Sequence, residues 1–559
     1  MQRLILAAVI ALLTAPHAFS QDNVDAILFL TGASAPEELD QEVFDRFDAF
    51  ASRPVRINLA SESRLLSCGL FSRYQVASIT DYRRSSGDIL SVAELSLLDG
   101  FGGGIARALA PFVSFETRAA PGSSSLEKGR VGTETIIRGA ALETEGRWSG
   151  SGALKLRTGD DERWMLSTAV KEAFDASRWP PDAFSGSAAL YGRRIPVSVV
   201  LGDYNVRTGQ GLLLWSGFSL SGVQSAAAMD RHPSGISPAW TLSPGTAHRG
   251  AAASVSLGRF SLYGFWSHGK GEGANLTWLS RSGQLGLTVL SAGRASADWR
   301  WSLWKWDFFG EVAEDFRNRA VAVIAGIAWN PAYQVRLAAS VRSYPAVFDA
   351  TLAGALRSST HCVDERGAAL ALDYKKLTFT VDAALHPLKE TSQFKAVAKY
   401  APQLTEALSM SLRAVSRYRP SDPQPWRNEL RAELTLTAPS GLFLKGCTSC
   451  CHSSAFSWLC YAESGFLRER NGRKASVYLR GTAFKADLWD DRIYIYERDI
   501  PGAFSVPAYY GRGCSASAVA SLKFNHLSFS ARAFITAYPG MAEKKPGKAG
   551  LRFQCRITL

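Results

Sequence analysis

Two hydrophobic periods divide this chain. The clearer one is at its end, where Leu551, Phe553, Cys555, Ile557 and Leu559 alternate with Arg552, Gln554, Arg556 and Thr558. A period of two is that of a strand with one apolar and one polar face. The same alternation runs through Val255/Leu257, Leu377/Phe379/Val381, Ala432/Leu434/Leu436 and Leu527/Phe529/Ala531/Ala533. Asn525-His526 and Asn330-Pro331 read as turns between such strands. Trp299, Trp301, Trp304 and Trp306 crowd one hairpin, as an aromatic girdle requires. Strands of about 10 residues, repeated over several hundred residues, predict a large antiparallel transmembrane β-barrel of about 20 or more strands. A secreted β-sandwich or β-helix is the structural rival, but no fixed-period repeat marks a solenoid or propeller.

The earlier period is helical. Residues 36–51 predict one amphipathic helix. Pro36 suits its first turn, Glu37 and Glu38 sit at the positive dipole end, and Leu39, Val43, Phe44, Phe47 and Phe50 form the stripe. Residues 58–113 predict four short helices. Asn58 caps the first, with Leu59, Leu65 and Leu66. After a tight connection at Gly69-Leu70-Phe71-Ser72, residues 74–84 form the second, turning Val76, Ile79 and Tyr82 inward. Ser91-x-x-Glu94 is a capping box for the third, with Leu95, Leu97 and Leu98. A Gly100-Phe101-Gly102 turn leads to the last, through Ile105, Ala108 and Leu109 to Pro111. Pro121-Gly122-Ser123-Ser124-Ser125 reads as a linker.

The start of the chain adds export. Arg3 is followed by an apolar run at 4–13 and a small-residue cleavage site at Ala18-Phe19-Ser20. That run is too short to span a bilayer, and no later stretch predicts a transmembrane helix. The expected organisation is an export signal at 1–20, an amphipathic region at 21–51 and a tandem helical domain at 52–118. A linker at 119–127 and the barrel at 128–559 complete it. The fold class is mostly β, with a small all-α domain in front, in the outer membrane with the helical domain in the periplasm.

Charge is unevenly placed. The chain carries +13, but residues 1–51 hold eight acids against Arg3 and Arg46, a net of −6. Residues 52–118 carry +2, which leaves +17 on 119–559. The basic excess therefore belongs to the barrel, in its lumen or its loops, where it would meet anions. Cys447-x-x-Cys450-Cys451-His452 has metal-binding residue types, but no second ligand pair stands at finger-like spacing. A loop disulfide or free thiols in the wall fit it better, and no metal or other cofactor is expected. No metalloprotease, nucleophile-elbow or phosphate-loop motif occurs, so no catalytic residue is assigned.

Residues 57–113 resemble the tandem helix-hairpin-helix domain of ComEA-type competence DNA receptors. The resemblance rests on Ile57-Asn58-x-Ala60, Ile79-x-x-Tyr82-Arg83-x-x-x-Gly87 and Ser91-x-x-Glu94-Leu95-x-x-Leu98-x-Gly100-Phe101-Gly102. The barrel region is similar to the C-terminal part of helix-hairpin-helix proteins of Bacteroidota outer membranes. Here the residues are Gly202-Asp203-Tyr204, Gly209-Gln210-Gly211-Leu212, Trp215-Ser216-Gly217, Asp491-Arg492-Ile493-Tyr494-Ile495-Tyr496-Glu497 and Tyr510-Gly511-Arg512-Gly513. That resemblance implies architecture rather than an activity.

What the helical resemblance implies is a sequence-independent grip on DNA phosphate. A helix start carries unpaired N–H groups, and glycines let a phosphate reach them. The candidate residues are Gly100, Phe101, Gly102, Gly103, Gly104 and Arg107 at the second hairpin, with Gly69 and Ser72 at the first. The first hairpin departs from the pattern: Leu70, Phe71 and Ser72 stand where a Gly-Ile-Gly turn is expected. Asp99 would repel phosphate, and a net of +2 is low for a DNA binder. Two readings follow. In one, the barrel carries a DNA-holding module in a transport or uptake role, with DNA and outer-membrane lipid as partners. In the other, the module docks an envelope protein or plugs the lumen.

Overall fold

The computed structural model describes residues 23–117 and 131–559, apart from 161–162, 175–180, 193–194, 221, 244, 246, 333, 471 and 540–545. The export signal at 1–20 and the linker at 119–127 lie outside the described residues. The rest of the chain is a closed antiparallel β-barrel of 24 strands with a helical N-terminal region. No helix among the described residues is long and apolar enough to cross a membrane, so any crossing is made by strands.

The wall starts at Gly132–Thr144, and each strand pairs with the next through Lys548–Thr558. That last strand pairs with the first, Leu551 opposite Ala141, and closure removes every free edge. The predicted alternation is the alternation between outward-facing and lumen-facing sides. Along Gly283–Leu290, Leu285, Leu287 and Val289 are 47, 58 and 57 % exposed, while Gln284 and Thr288 are buried. Along Lys548–Thr558, Leu551 and Phe553 face outward and Gln554 is buried inside. An arginine at Leu287, mid-strand, should therefore cost the barrel roughly 2–4 kcal/mol, against about 0–1 kcal/mol at Leu303 near a strand end. Urea unfolding in liposomes measures both, and equal losses would contradict a lipid-facing belt.

Most turns fall where the sequence places them. Asn525-His526 joins Gly511–Phe524 to Leu527–Ala537, with Asn525 at φ 43°. The four-tryptophan hairpin joins Arg294–Leu303 to Trp306–Asp315 and leaves Trp304 99 % exposed at its tip. Asn330-Pro331 is different. Strand Ala320–Ala332 runs through it with a register shift between Trp329 and Ala332, and the chain turns only after that. The proline, which cannot donate to the ladder, is accommodated in that irregularity rather than in a turn. Cys447, Cys450 and Cys451 lie in the wall strand Leu442–His452, and all eight cysteines are free thiols.

The two barrel ends differ. Every connection at the end where the first strand begins and the last one finishes is short, none longer than 401–407. The opposite end carries the long segments 208–247, 345–364 and 487–510. All three fold back into the lumen, because their apolar residues are buried: Leu212, Leu213 and Leu214 in the first, Phe348 and Leu356 in the second, Ile495 and Ile500 in the third. Gly235–Pro238 of the first segment adds a short strand to Tyr204–Arg207 beyond the point where Val197–Tyr204 leaves His248–Val255.

The helical region contains α1 (Val24–Thr31), α2 (Gln41–Ser52), α3 (Glu62–Ser67), α4 (Arg73–Ser85), α5 (Val92–Leu97) and α6 (Gly102–Leu109). It has one core, built from Val43, Phe47, Ile57, Leu65, Ile79, Leu95 and Phe112, with Phe47 and Phe112 rings 4.9 Å apart. Three expectations are corrected here. The helix expected at 36–51 begins at Gln41, because Asp40 is its cap and accepts from the Val43 N–H at 3.0 Å; Pro36–Glu38 is a separate 3-10 turn. Asn58 caps no helix. Its amide donates to the Ile89 carbonyl at 2.8 Å and accepts from the Ile89 N–H at 2.9 Å, and Ser61 caps α3 instead. Ser91 caps α5, but Glu94 reaches back to the Leu90 N–H rather than to that of Ser91. α1 was not expected; it is short and almost uniformly apolar, so no periodicity announced it.

Candidate functional site

The helical region is seated in one mouth of the barrel. It enters from the short-turn end, where Arg53 donates to the carbonyls of Gly132 and Gly159 at 3.2 and 2.9 Å. Ser63 donates to Gly192 at 2.8 Å and Tyr74 to Arg281 at 3.0 Å, both in turns at that rim.

From this rim, residues 36–52 reach into the lumen. α2 buries its apolar stripe and presents acids beside it. Asp45 lies 3.1 Å from Arg138 and 3.3 Å from Lys155. Asp48 pairs with Arg556 and lies 4.0 Å from Arg138. Ahead of the helix, Glu38 accepts from Arg413 at 2.6 Å with Lys395 at 3.9 Å, and Glu37 accepts from Arg431 at 2.8 Å. These cations project inward from strands on both sides of the barrel's closing seam. The polar face that alternation assigned to Arg552 and Arg556 is thus the face that receives the helical region.

The far end is closed by the infolded segments. Phe44 of α2 stacks on Tyr496 at 5.7 Å between ring centroids and packs on Phe504 at 5.0 Å. Glu37 also accepts from the Tyr496 N–H at 2.7 Å. Ser34 hydrogen-bonds Gln224 at 3.0 Å, and Ser225 donates to the Gly32 carbonyl at 3.2 Å. Gly32 ends α1 at φ 74°, and a Cβ there would stand 2.6 Å from that of Ala228, so both conformation and contact call for glycine.

The conspicuous barrel motifs hold these inner segments in place. Glu311 on the wall accepts from the Gln210 and Leu212 N–H groups at 2.7 and 3.0 Å, drawing Gly209-Gln210-Gly211-Leu212 inward. Asp203 binds Arg249 at 2.8 Å, and Tyr204 donates to the Trp266 carbonyl at 2.7 Å. Ser216 accepts from the Val206 N–H at 3.1 Å. Asp491 accepts from the Ser454 and Ala455 N–H groups at 2.9 Å each. Glu497 and Asp499 both pair with Arg532.

The candidate phosphate-holding residues separate into two settings. Gly69 faces the barrel, where a Cβ would meet Ser237 at 3.3 Å. Ser72 is buried, and its hydroxyl is committed to the cap of α4, accepting from Gln75 at 3.2 Å. Arg73, next along, lies over the Tyr263 ring at 4.8 Å. The first hairpin is therefore part of the docking surface. The second faces away from the wall: Gly100, Gly102 and Arg107 are exposed, Gly103 is half-buried and Phe101 is buried as its anchor. Gly104 packs on Phe29, and Arg107 donates to the Gly103 carbonyl at 2.9 Å. A clamp of two hairpins is thus not presented on one surface.

Burial pushes the Glu38 carboxyl up, but Arg413 and Lys395 outweigh it and hold the group below its ordinary value. A lowered value makes the Glu38 contribution to docking fully present above the free carboxyl value of about 4.5. It is lost as pH falls through the lowered one. Protease cleavage of residues 23–117 in the full-length protein should therefore rise only in strongly acidic buffer. Cleavage already raised between pH 5 and 6 would contradict this.

Of the wall cations, Arg556 was placed on a polar strand face by the sequence, but Arg138, Lys155, Arg413 and Arg431 were not singled out. The available signal was the acidic excess before residue 51 set against the basic excess of the barrel, two opposite charges in one chain. No protein-family model and no curated protein matches this chain. Among solved structures it is similar to OccK3 (OpdO) of Pseudomonas aeruginosa, at 9 % identity over 77 % of this chain and 96 % of that one, with a TM-score of 0.29. It is also similar to the P pilus usher (PapC) translocation pore, at 10 % identity over 77 % and 99 %, with a TM-score of 0.38. Identities and scores this low carry no argument about function.

Proposed function

We propose that this protein is an outer-membrane barrel closed by its own N-terminal helical module, so that passage requires the module to move. The observation that carries this reading is the seating of Glu37, Glu38, Asp45 and Asp48 on cations of the inner wall, with Phe44 against the infolded 487–510 segment. Buried ion pairs add little net stability, but leaving one half-made is costly, so they define a single docked position. The export signal, the lipid-facing belt and the even strand number support an outer-membrane setting. Short turns at one end and long segments at the other support a periplasmic side for the module. On this reading the helix-hairpin-helix resemblance describes a module whose first hairpin serves docking. DNA contact would rest on the second turn alone.

The test uses the full-length protein in planar bilayers. It should conduct little, gain a large current when urea unfolds the helices but not the barrel, and lose it when urea is removed. A large current before urea would sink the proposal.

A further inference from the structure

Resting on the plugged-barrel reading, we infer that the cationic side of the lumen is a binding site for an acidic peptide segment. Such a segment opens the barrel by competing with residues 37–48 for the same side chains. Lys395, Lys399, Arg413, Arg431, Arg556 and Arg138 all turn inward on strands that run from Thr391–Tyr400 through the closing seam to Gly132–Thr144. Their partners in the closed state come largely from outside the wall. The module supplies Glu37, Glu38, Asp45 and Asp48, and Lys399 donates to the Ser34 carbonyl at 2.8 Å. The infolded segment supplies Glu497 and Asp499 to Arg532 and Arg552. When the module leaves, Arg138, Lys395, Arg413 and Arg431 lose the carboxylates of residues 37–48 together, while Arg556 keeps Glu134 at 3.3 Å.

A second observation is that donors outnumber acceptors even when the module is seated. The Nε groups of Arg417, Arg431, Arg480 and Arg532 are buried and donate no hydrogen bond. Guanidinium groups favour two-pronged contact with carboxylates, so an incoming chain of carboxylates finds donors the module leaves unused. On the opposite side of the lumen buried arginine donors without a hydrogen bond also occur, on Arg294, Arg336 and Arg342, but there the cations are answered by carboxylates of the wall and its infolded segments: Arg342 by Glu365 and Asp382, and Arg300 by Asp230. The present occupant of the cationic side is itself an acidic peptide stretch with single carboxylates at uneven spacing, which favours peptide over nucleic acid as the competitor. A charged groove walled by low-dielectric material also concentrates the ions that match it.

The experiment uses the full-length protein in liposomes, with protease cleavage of residues 23–117 and ion current as readouts. The probes are oligoglutamate, oligolysine and a single-stranded oligonucleotide, all at matched ionic strength. Oligoglutamate should raise cleavage and current about tenfold over salt alone, as a ligand that binds only the undocked form does near 10 Kd. Oligolysine should do nothing. The Arg413→Gln/Arg431→Gln double variant should be cut faster at rest and respond less to oligoglutamate. Equal release by salt or oligolysine, or stronger release by the oligonucleotide, would overturn the inference. A wild-type protein that is open and fully cleaved without any probe would instead overturn the plug reading on which it rests.

Discussion

Replacing Glu38 and Asp45 by lysine in the full-length chain is expected to turn a nearly silent barrel into a conducting one. Each substitution removes the carboxylate between two wall cations, Arg413 and Lys395 for Glu38, Arg138 and Lys155 for Asp45, and puts a like charge in its place. Breaking a buried ion pair costs about 3–5 kcal/mol, so the two together remove roughly 6–10 kcal/mol of docking. That moves the ratio of docked to undocked module by at least about four powers of ten. Asp81→Lys is the control, the charge change of either single substitution made at an exposed position of α4, and should leave the current unchanged. Single-channel recording checks both. A double variant as silent as the wild type would mean that something other than these pairs closes the lumen.

The second large effect concerns the opposite end. Arg532→Ala should release the 487–510 segment from the lumen. Arg532 is 2 % exposed and pairs with both Glu497 and Asp499, so its loss takes the cation from Glu497 and leaves Asp499 to Arg552 alone. The expected cost is about 3–5 kcal/mol, borne by that segment rather than by the barrel ladder. Protease added outside intact cells should then cut within 487–510. Arg532→Lys, which keeps the charge but loses the fork, should be intermediate. Because Phe44 packs on Tyr496 and Phe504, the module should loosen as well. Normal resistance in a correctly folded Arg532→Ala barrel would show that the segment is held by its apolar residues instead.

The pairing of these groups was only partly legible beforehand. Alternation at 551–559 identified which residues face outward, because a strand repeats every two residues wherever it lies. Val76, Ile79, Leu95 and Phe101 were recognisable as core because helical spacing and turn chemistry are local properties. Asn330-Pro331 misled because a proline signal does not distinguish a turn from an irregularity at the end of a strand. Asn58 misled because its partner, Ile89, is 31 residues away. Gly100-Phe101-Gly102 was visible as a turn, but which side of the domain faces the wall was not, and that orientation decides how many hairpins are free.

From the sequence alone came the expectation of an export signal, the switch of period, the small helical domain and the opposite charges of its leading segment and the barrel. These depend on neighbours along the chain. Only the tertiary structure decided that the acidic segment lies inside the basic wall, that three long segments fold inward, and that the first hairpin docks while the second stays exposed. Those outcomes depend on which side chains meet across hundreds of residues. Closing a barrel brings Arg138, Arg413, Arg431 and Arg556 around one lumen, and nothing in their local sequence encodes that meeting.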